Sequence, residues 1–193
     1  MDCTFADARY PPRPAHHYCR EMPTAKRLMQ VSDSIDIAAD PGRLYEMVSD
    51  PTRMGEWSPE NLGATVVNPA ADGAAFVGMV FDGRNRRGRT KWVTRCTVTA
   101  AEPGAHFAFR VHAIGPKTPR LKGANASWEY RFAVTEDGRT RVTETWFDDR
   151  IKWPDAVAGV FDRIVTRGMT FPEFQRRNIA KTLEALRTAV ESR

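Results

Sequence analysis

The sequence predicts an α+β fold: a strongly curved antiparallel sheet lying on one long C-terminal helix, with two short helices after the first strand. Three observations carry that expectation. The stretch from Gly78 to Val111 reads as three consecutive antiparallel strands separated by turn residues. Asp40-Pro41 and Asp50-Pro51 each set a capping carboxylate before a proline that a first helical turn tolerates. Phe171, Phe174, Ile179, Leu183, Leu186 and Val190 form one apolar stripe on a helix reaching about Glu191.

Taken in order, residues 1–30 carry Pro11, Pro12, Pro14 and Pro23 with no helical or strand period. They read as a flexible N-terminal extension, leaving 31–193 as a single domain. Cys3, His16, His17 and Cys19 lie in this extension, but their spacing fits no zinc template. Met22 or Met29 is an alternative start. Val31 to Ile37 alternates as the first strand. Leu44, Met47 and Val48 give the first short helix its apolar face, and Met54 and Trp57 supply the second.

Thr65 to Val67 is a short strand, closed by Asn68-Pro69 and a small-residue turn through Ala75. Phe76 to Phe81 opens the meander and ends in a Gly-flanked basic turn, Gly83 to Gly88. From Thr90 to Thr99, Trp92, Thr94, Cys96 and Val98 share one face. Glu102-Pro103-Gly104 reverses the chain, and Phe107, Phe109 and Val111 alternate along the next strand. After a basic loop, Gly115 to Pro119, the segment Ala126 to Val134 puts Trp128, Tyr130, Phe132 and Val134 on one face. Glu136-Asp137-Gly138 turns into Arg141 to Asp148, where Val142, Glu144, Trp146 and Asp148 align. Pro154 to Gly168 forms a helix with Val157, Val160, Phe161, Ile164 and Val165 apolar. Thr170-Phe171-Pro172-Glu173 is a capping box. The helix behind it is roughly 30 Å long, the span of strands of about nine or ten residues.

Composition narrows the function classes. The 193 residues are 41% hydrophobic and 27% charged, ordinary for a globular protein with a sizeable core. A net charge of +5 is a mild basic excess, compatible with anionic partners and diagnostic of none. No apolar run reaches the roughly 18–20 residues of a membrane span, and the N-terminus has no secretory apolar region. Three scattered cysteines, Cys3, Cys19 and Cys96, make no disulfide framework, so a cytoplasmic setting is expected.

The order of strand, two short helices, meander and long terminal helix resembles the SRPBCC (START-like, Bet v 1-like) superfamily. More specifically it resembles the polyketide cyclase/dehydrase and lipid-transport branch, over about Val31 to Glu191. The resemblance rests on Asp50-Pro51 with Met54 and Glu56-Trp57-Ser58-Pro59, on Gly83 to Gly88, and on Trp92 to Val98. It rests further on Ala101-Glu102-Pro103-Gly104 leading to Phe107-Ala108-Phe109, on Trp128-Glu129-Tyr130 and on Thr143-Glu144-Thr145-Trp146. It implies a helix-grip cavity between sheet and terminal helix that takes an apolar ligand without a cofactor. It implies no single chemistry, since the family holds carriers and aromatising cyclases alike.

On that fold, Trp92, Thr94, Phe107, Phe109, Trp128, Tyr130, Glu144 and Trp146 face the long helix. With Trp57 and Phe174 they are the candidate ligand-binding residues. A filled aromatic core is the alternative reading of the same stripes. Glu144 is the sharpest candidate, because a carboxylate on an apolar face is costly unless paired or protonated. In an enzyme, Glu144 and Tyr130 would move protons; the simpler expectation is that Glu144 pairs with Arg110 or Arg131. His106 and His112 are expected at the surface, and Cys96 in the core. No residue pair has metal-site spacing. The basic residues Arg84 to Lys91 invite an anion contact, but they lack a nucleic-acid motif, and Asn85 is expected to brace the turn. Three functions stay open: a carrier of a hydrophobic, lipid-like or aromatic molecule, a cyclase/dehydrase-type enzyme, and a module that docks a partner through the basic turn.

Overall fold

The computed structural model describes residues 26–192, so the prolines, cysteines and histidines of the N-terminal segment lie outside the described residues. The elements are β1 (Gln30–Ile37), α1 (Pro41–Ser49), a 3-10 turn (Pro51–Glu56), β2 (Asn61–Val66) and β3 (Val80–Arg87). They continue with β4 (Thr90–Glu102), β5 (His106–Gly115), β6 (Leu121–Val134), β7 (Thr140–Asp148), α2 (Asp155–Thr166) and α3 (Phe171–Glu191). The seven strands form one antiparallel sheet in the order β1-β7-β6-β5-β4-β3-β2. Sequence neighbours pair everywhere except at β1, which returns to the edge beside β7.

Local chemistry sets the ends of these elements. Asp40 accepts from the backbone N–H groups of Gly42 and Arg43 at 2.8 and 3.2 Å, and Asp50 from that of Thr52 at 2.9 Å. Thr170 and Glu173 close the capping box of α3, Glu173 Oε2 accepting from the Thr170 N–H at 2.8 Å. Bulges bend the sheet: the β4–β5 register shifts between Arg95 and Cys96 and again between Val98 and Ala100.

Several expected boundaries move: β2 begins at Asn61 rather than Thr65, β3 at Val80 rather than Phe76 and β6 at Leu121 rather than Ala126, and the basic turn is misplaced. The basic residues do not form a broad turn; β3 runs through Arg87 and pairs with β4 down to Arg87–Thr90. The turn itself is only Gly88-Arg89, with Gly88 at a φ of 59°, the positive value that the first position of a tight hairpin takes. Charged side chains that project from a hairpin do not interrupt a backbone ladder, which is why their density misled. Asn85 therefore braces strands rather than a turn, its amide donating to Gly83 O and Thr94 Oγ1, both at 3.1 Å. Phe76 and Val77 precede the strand and are exposed.

α3 lies across β1 and β7, burying Ile179, Leu183, Leu186 and Val190 with Val31, Ile37 and Val142. α1 covers β5 and β6, where Tyr45 meets Phe107 and Phe132 edge-on at 6.4 and 6.1 Å. This is the helix-grip arrangement. Packing is closed under α1 and the second half of α3 and open under the first half.

Candidate functional site: the cavity between sheet and helix

The open half holds a cavity of about 600 Å³, within the usual range for a small-molecule site. Its walls are the concave face of β3 to β7, the 3-10 turn through Met54 and Trp57, and two helices. α2 contributes Phe161, Ile164 and Val165; α3 contributes Phe171, Gln175, Asn178 and Thr182.

Of the candidate residues, Trp57, Trp92, Thr94 and Phe109 line this cavity, as do Trp128, Tyr130, Glu144 and Trp146. Phe109 and Trp128 stack on the wall, 5.7 Å between centroids with planes 12° apart. Phe107 and Phe174 are not in the lining. Phe107 shares the face of Phe109 but lies two residues further along, where α1 has already closed the packing over it. Phe174 holds its ring under the Arg87 guanidinium, 3.9 Å away. The side of α3 that lines the cavity starts at Phe171 and continues through polar residues: Phe171, Gln175, Asn178 and Thr182 follow a helical spacing of four, three and four.

Glu144 has no arginine partner. Arg110 pairs with Asp149 at 3.2 Å, and Arg131 pairs with Glu129. Glu144 sits opposite Tyr130 in the β6–β7 ladder and is 2% exposed. The Tyr130 hydroxyl donates to Glu144 Oε1 at 3.0 Å. Burial pushes the Glu144 carboxyl from 4.5 up to about 8; the Tyr130 bond opposes this and the charge of Asp33 adds to it. Burial, joined by the Glu144 charge, also raises the Tyr130 phenol well above 10. At neutral pH the dyad is therefore a neutral carboxylic acid beside a neutral phenol. Oε1 accepts the hydrogen bond of the phenol O–H, which leaves Oε2 as the oxygen to carry the acid proton. Glu144 Oε2, Trp57 Nε1 and Gln175 Oε1 are all buried with no protein partner.

α2 packs in an inverted sense. Its buried residues are Ala158, Asp162 and Thr166, one helical turn apart. Asp162 accepts from Arg150 Nη1 at 2.7 Å and from the backbone N–H of Phe171 at 3.1 Å. Arg150, 5% exposed, also donates to both oxygens of Asp148, at 2.9 and 2.7 Å. Arg27, in the segment expected to be an extension, joins Asp148 at 3.4 Å and donates to Arg150 O at 2.8 Å. A buried guanidinium requires such partners, and α2 supplies one by turning its polar side inward. Val157, Val160, Phe161 and Ile164 consequently stay exposed, at 54%, 59%, 41% and 72%, Phe161 and Ile164 where they border the cavity.

The β3–β4 hairpin is tied to the end of α2. Arg87 donates to Glu60 Oε1 and Oε2 at 2.5 and 2.9 Å and to Val165 O at 3.2 Å. Cys96 is buried and its thiol is pushed up to about 12 by desolvation, which suits a packing residue rather than a nucleophile. The histidines are half-buried rather than exposed: His106 lies 3.7 Å from Glu102 and from Glu129, and His112 Nδ1 is 3.3 Å from Thr97 Oγ1. Among the described residues no cluster of three His, Cys, Asp or Glu side chains is placed to hold a metal ion. No described helix is long and apolar enough to cross a membrane.

Fold and cavity together define a helix-grip protein with an internal apolar site. The sequence matches the family described as polyketide cyclase/dehydrase and lipid transport over residues 29–191, and the chain belongs to that family. A START superfamily protein from Mycobacterium smegmatis has a similar structure, with a TM-score of 0.55 and 14% identity, covering 85% of this chain and 95% of its own. A protein from Chromobacterium violaceum superposes with a TM-score of 0.57 at 17% identity, over 85% of this chain and 99% of that one. A protein of the dynemicin biosynthetic locus gives 0.54 at 14% identity, over 86% of this chain and 48% of that longer one. At these identities the likeness is one of fold. No curated protein matches the sequence.

Proposed function

We propose that the protein binds and carries a hydrophobic small molecule, lipid-like or aromatic, in the cavity between the sheet and α3. The observation that carries this reading is an open space of about 600 Å³ walled by Trp92, Phe109, Trp128 and Trp146 in a fold whose other half is packed solid. Family membership supports the same class of ligand. A ligand burying about 300 Å² of apolar surface would gain roughly 7 kcal/mol before the cost of association. The unpartnered atoms of Trp57, Glu144 and Gln175 favour a molecule that carries one polar group on an apolar body. A cytoplasmic setting belongs to this reading.

The test is native mass spectrometry of the purified protein, followed by solvent extraction of anything it carries. A co-purifying apolar molecule, or uptake of a hydrophobic fluorescent probe, is the expected result. Protein that is empty and takes up no probe overturns the carrier reading.

The Tyr130–Glu144 dyad favours a second reading, a cyclase/dehydrase-type enzyme in which the neutral acid donates a proton and its conjugate base takes one. Glu144→Gln separates the two, since it removes the proton donor yet keeps the shape and apolar lining. A carrier variant retains probe binding within about twofold, whereas an enzyme variant loses turnover by about a hundredfold or more. The protonation state has its own signature. The folded protein holds the Glu144 proton up to about pH 8 while the unfolded chain releases it near 4.5, so stability falls as pH rises through that window. Glu144→Gln is expected to flatten this slope, as read from thermal midpoints between those two pH values.

A further inference from the structure

We propose that α2 and the β3–β4 hairpin together form a docking surface for an anionic lipid bilayer. Val157, Val160, Phe161 and Ile164 follow one face of α2, all more than 40% exposed. The loop before the helix extends that face. Trp153 packs edge-on against Phe161 at 5.3 Å, and Ile151 is 76% exposed. A contiguous patch of this kind is uncommon on a protein that meets only water. It is not a frayed or mispacked helix, because the buried Asp162–Arg150 pair fixes which side points out.

Charge identifies the occupant. From Gly83 to Lys91 the chain carries four arginines and a lysine with no acidic residue, and Arg84, Arg86, Arg89 and Lys91 are exposed. This hairpin abuts α2: Arg87 donates to Val165 O, and a side chain at Gly88 would lie 3.4 Å from Arg167 Nη2. Arg163, Arg167 and Lys152 add exposed cations along and beside the apolar face. The exposed acid of α2, Asp155, is already engaged by Arg27 at 3.6 Å. Apolar and aromatic side chains flanked by lysine and arginine suit the boundary of an anionic bilayer, where rings enter the acyl region and cations meet phosphates. Docking does not depend on what the cavity holds. Its position has a consequence all the same: Phe161 and Ile164, part of this exposed face, also line the cavity.

Flotation of the full chain with phosphatidylcholine vesicles, with and without about one-third phosphatidylglycerol, tests this. Binding is expected to the anionic vesicles only and to weaken at high salt. Val160→Asp with Ile151→Asp, and separately Arg86→Glu with Arg89→Glu, are expected to lower the bound fraction at least about tenfold. Neither pair touches the cavity lining, so probe uptake should persist and reports the fold. Should the aspartates unfold α2, Val160→Ser with Ile151→Ser makes the same test. Wild-type protein that ignores anionic vesicles, or paired variants that bind like wild type, overturns the proposal. So does a concentration-dependent dimer that fails to bind vesicles and is lost with the same substitutions, which would assign the patch to a second copy of the chain.

Discussion

α2 and α3 follow one another in the chain, and both separate apolar from polar residues along the helix, yet they bury opposite faces. α3 meets the apolar face of β1 and β7, and its stripe of Ile179, Leu183, Leu186 and Val190 goes inward. α2 meets a buried guanidinium, and Asp162 goes inward instead. The segregation of residues tells that a helix has two faces; the neighbouring surface decides which one is covered. A desolvated charge outweighs several exposed apolar side chains, since each of those loses only a few tenths to a few kcal/mol by staying in water.

The largest effect should come from breaking the polar anchor. Asp162→Ala leaves Arg150 one carboxylate short and is expected to cost about 4 kcal/mol in urea denaturation, with amide exchange quickening first in α2. Leu183→Ala should cost about 3 kcal/mol, in global stability rather than in α2 alone. If Asp162→Ala proves nearly silent while Leu183→Ala does not, the polar side of α2 is not what holds it. Thr170→Ala removes a cap that serves α3 and is expected to lower stability by about 1 kcal/mol. Val160→Ser, on the outward face of α2, should shift stability by no more than about 0.5 kcal/mol, whereas a serine at Leu186 should cost several times that.

Much of the fold is legible in the sequence because its signals are local. Asp40-Pro41, Asp50-Pro51 and the Thr170–Glu173 box are each complete within four residues, and all three cap the helices they announce. The strand faces are legible for the same reason, which is why Trp92, Thr94, Trp128, Tyr130 and Glu144 point to one space. The failures are non-local. Nothing near Glu144 in the chain says that Arg110 and Arg131 are drawn off by Asp149 and Glu129. Gln175, Asn178 and Thr182 are polar and lie off the apolar stripe, yet they line an internal space; only their helical spacing from Phe171 hints at it. The inward turn of α2 depends on Arg150 and Asp148, which sequence periodicity cannot weigh.

The cavity occupies only part of each element that bounds it. On β4, Trp92 and Thr94 face the open space while Val98 lies in solid packing. On β5 Phe109 borders the space and Phe107 does not, and on α3 Thr182 borders it while Leu186 does not. Each of these elements is thus divided along its length between a stretch packed in the core and a stretch that lines the cavity. Substitutions in the second stretch leave the stabilising contacts of the first intact, so the chain can explore new specificities without approaching its unfolding threshold. A scaffold partitioned in this way is suited to diversification, because the residues that would set specificity are not those that hold the fold together.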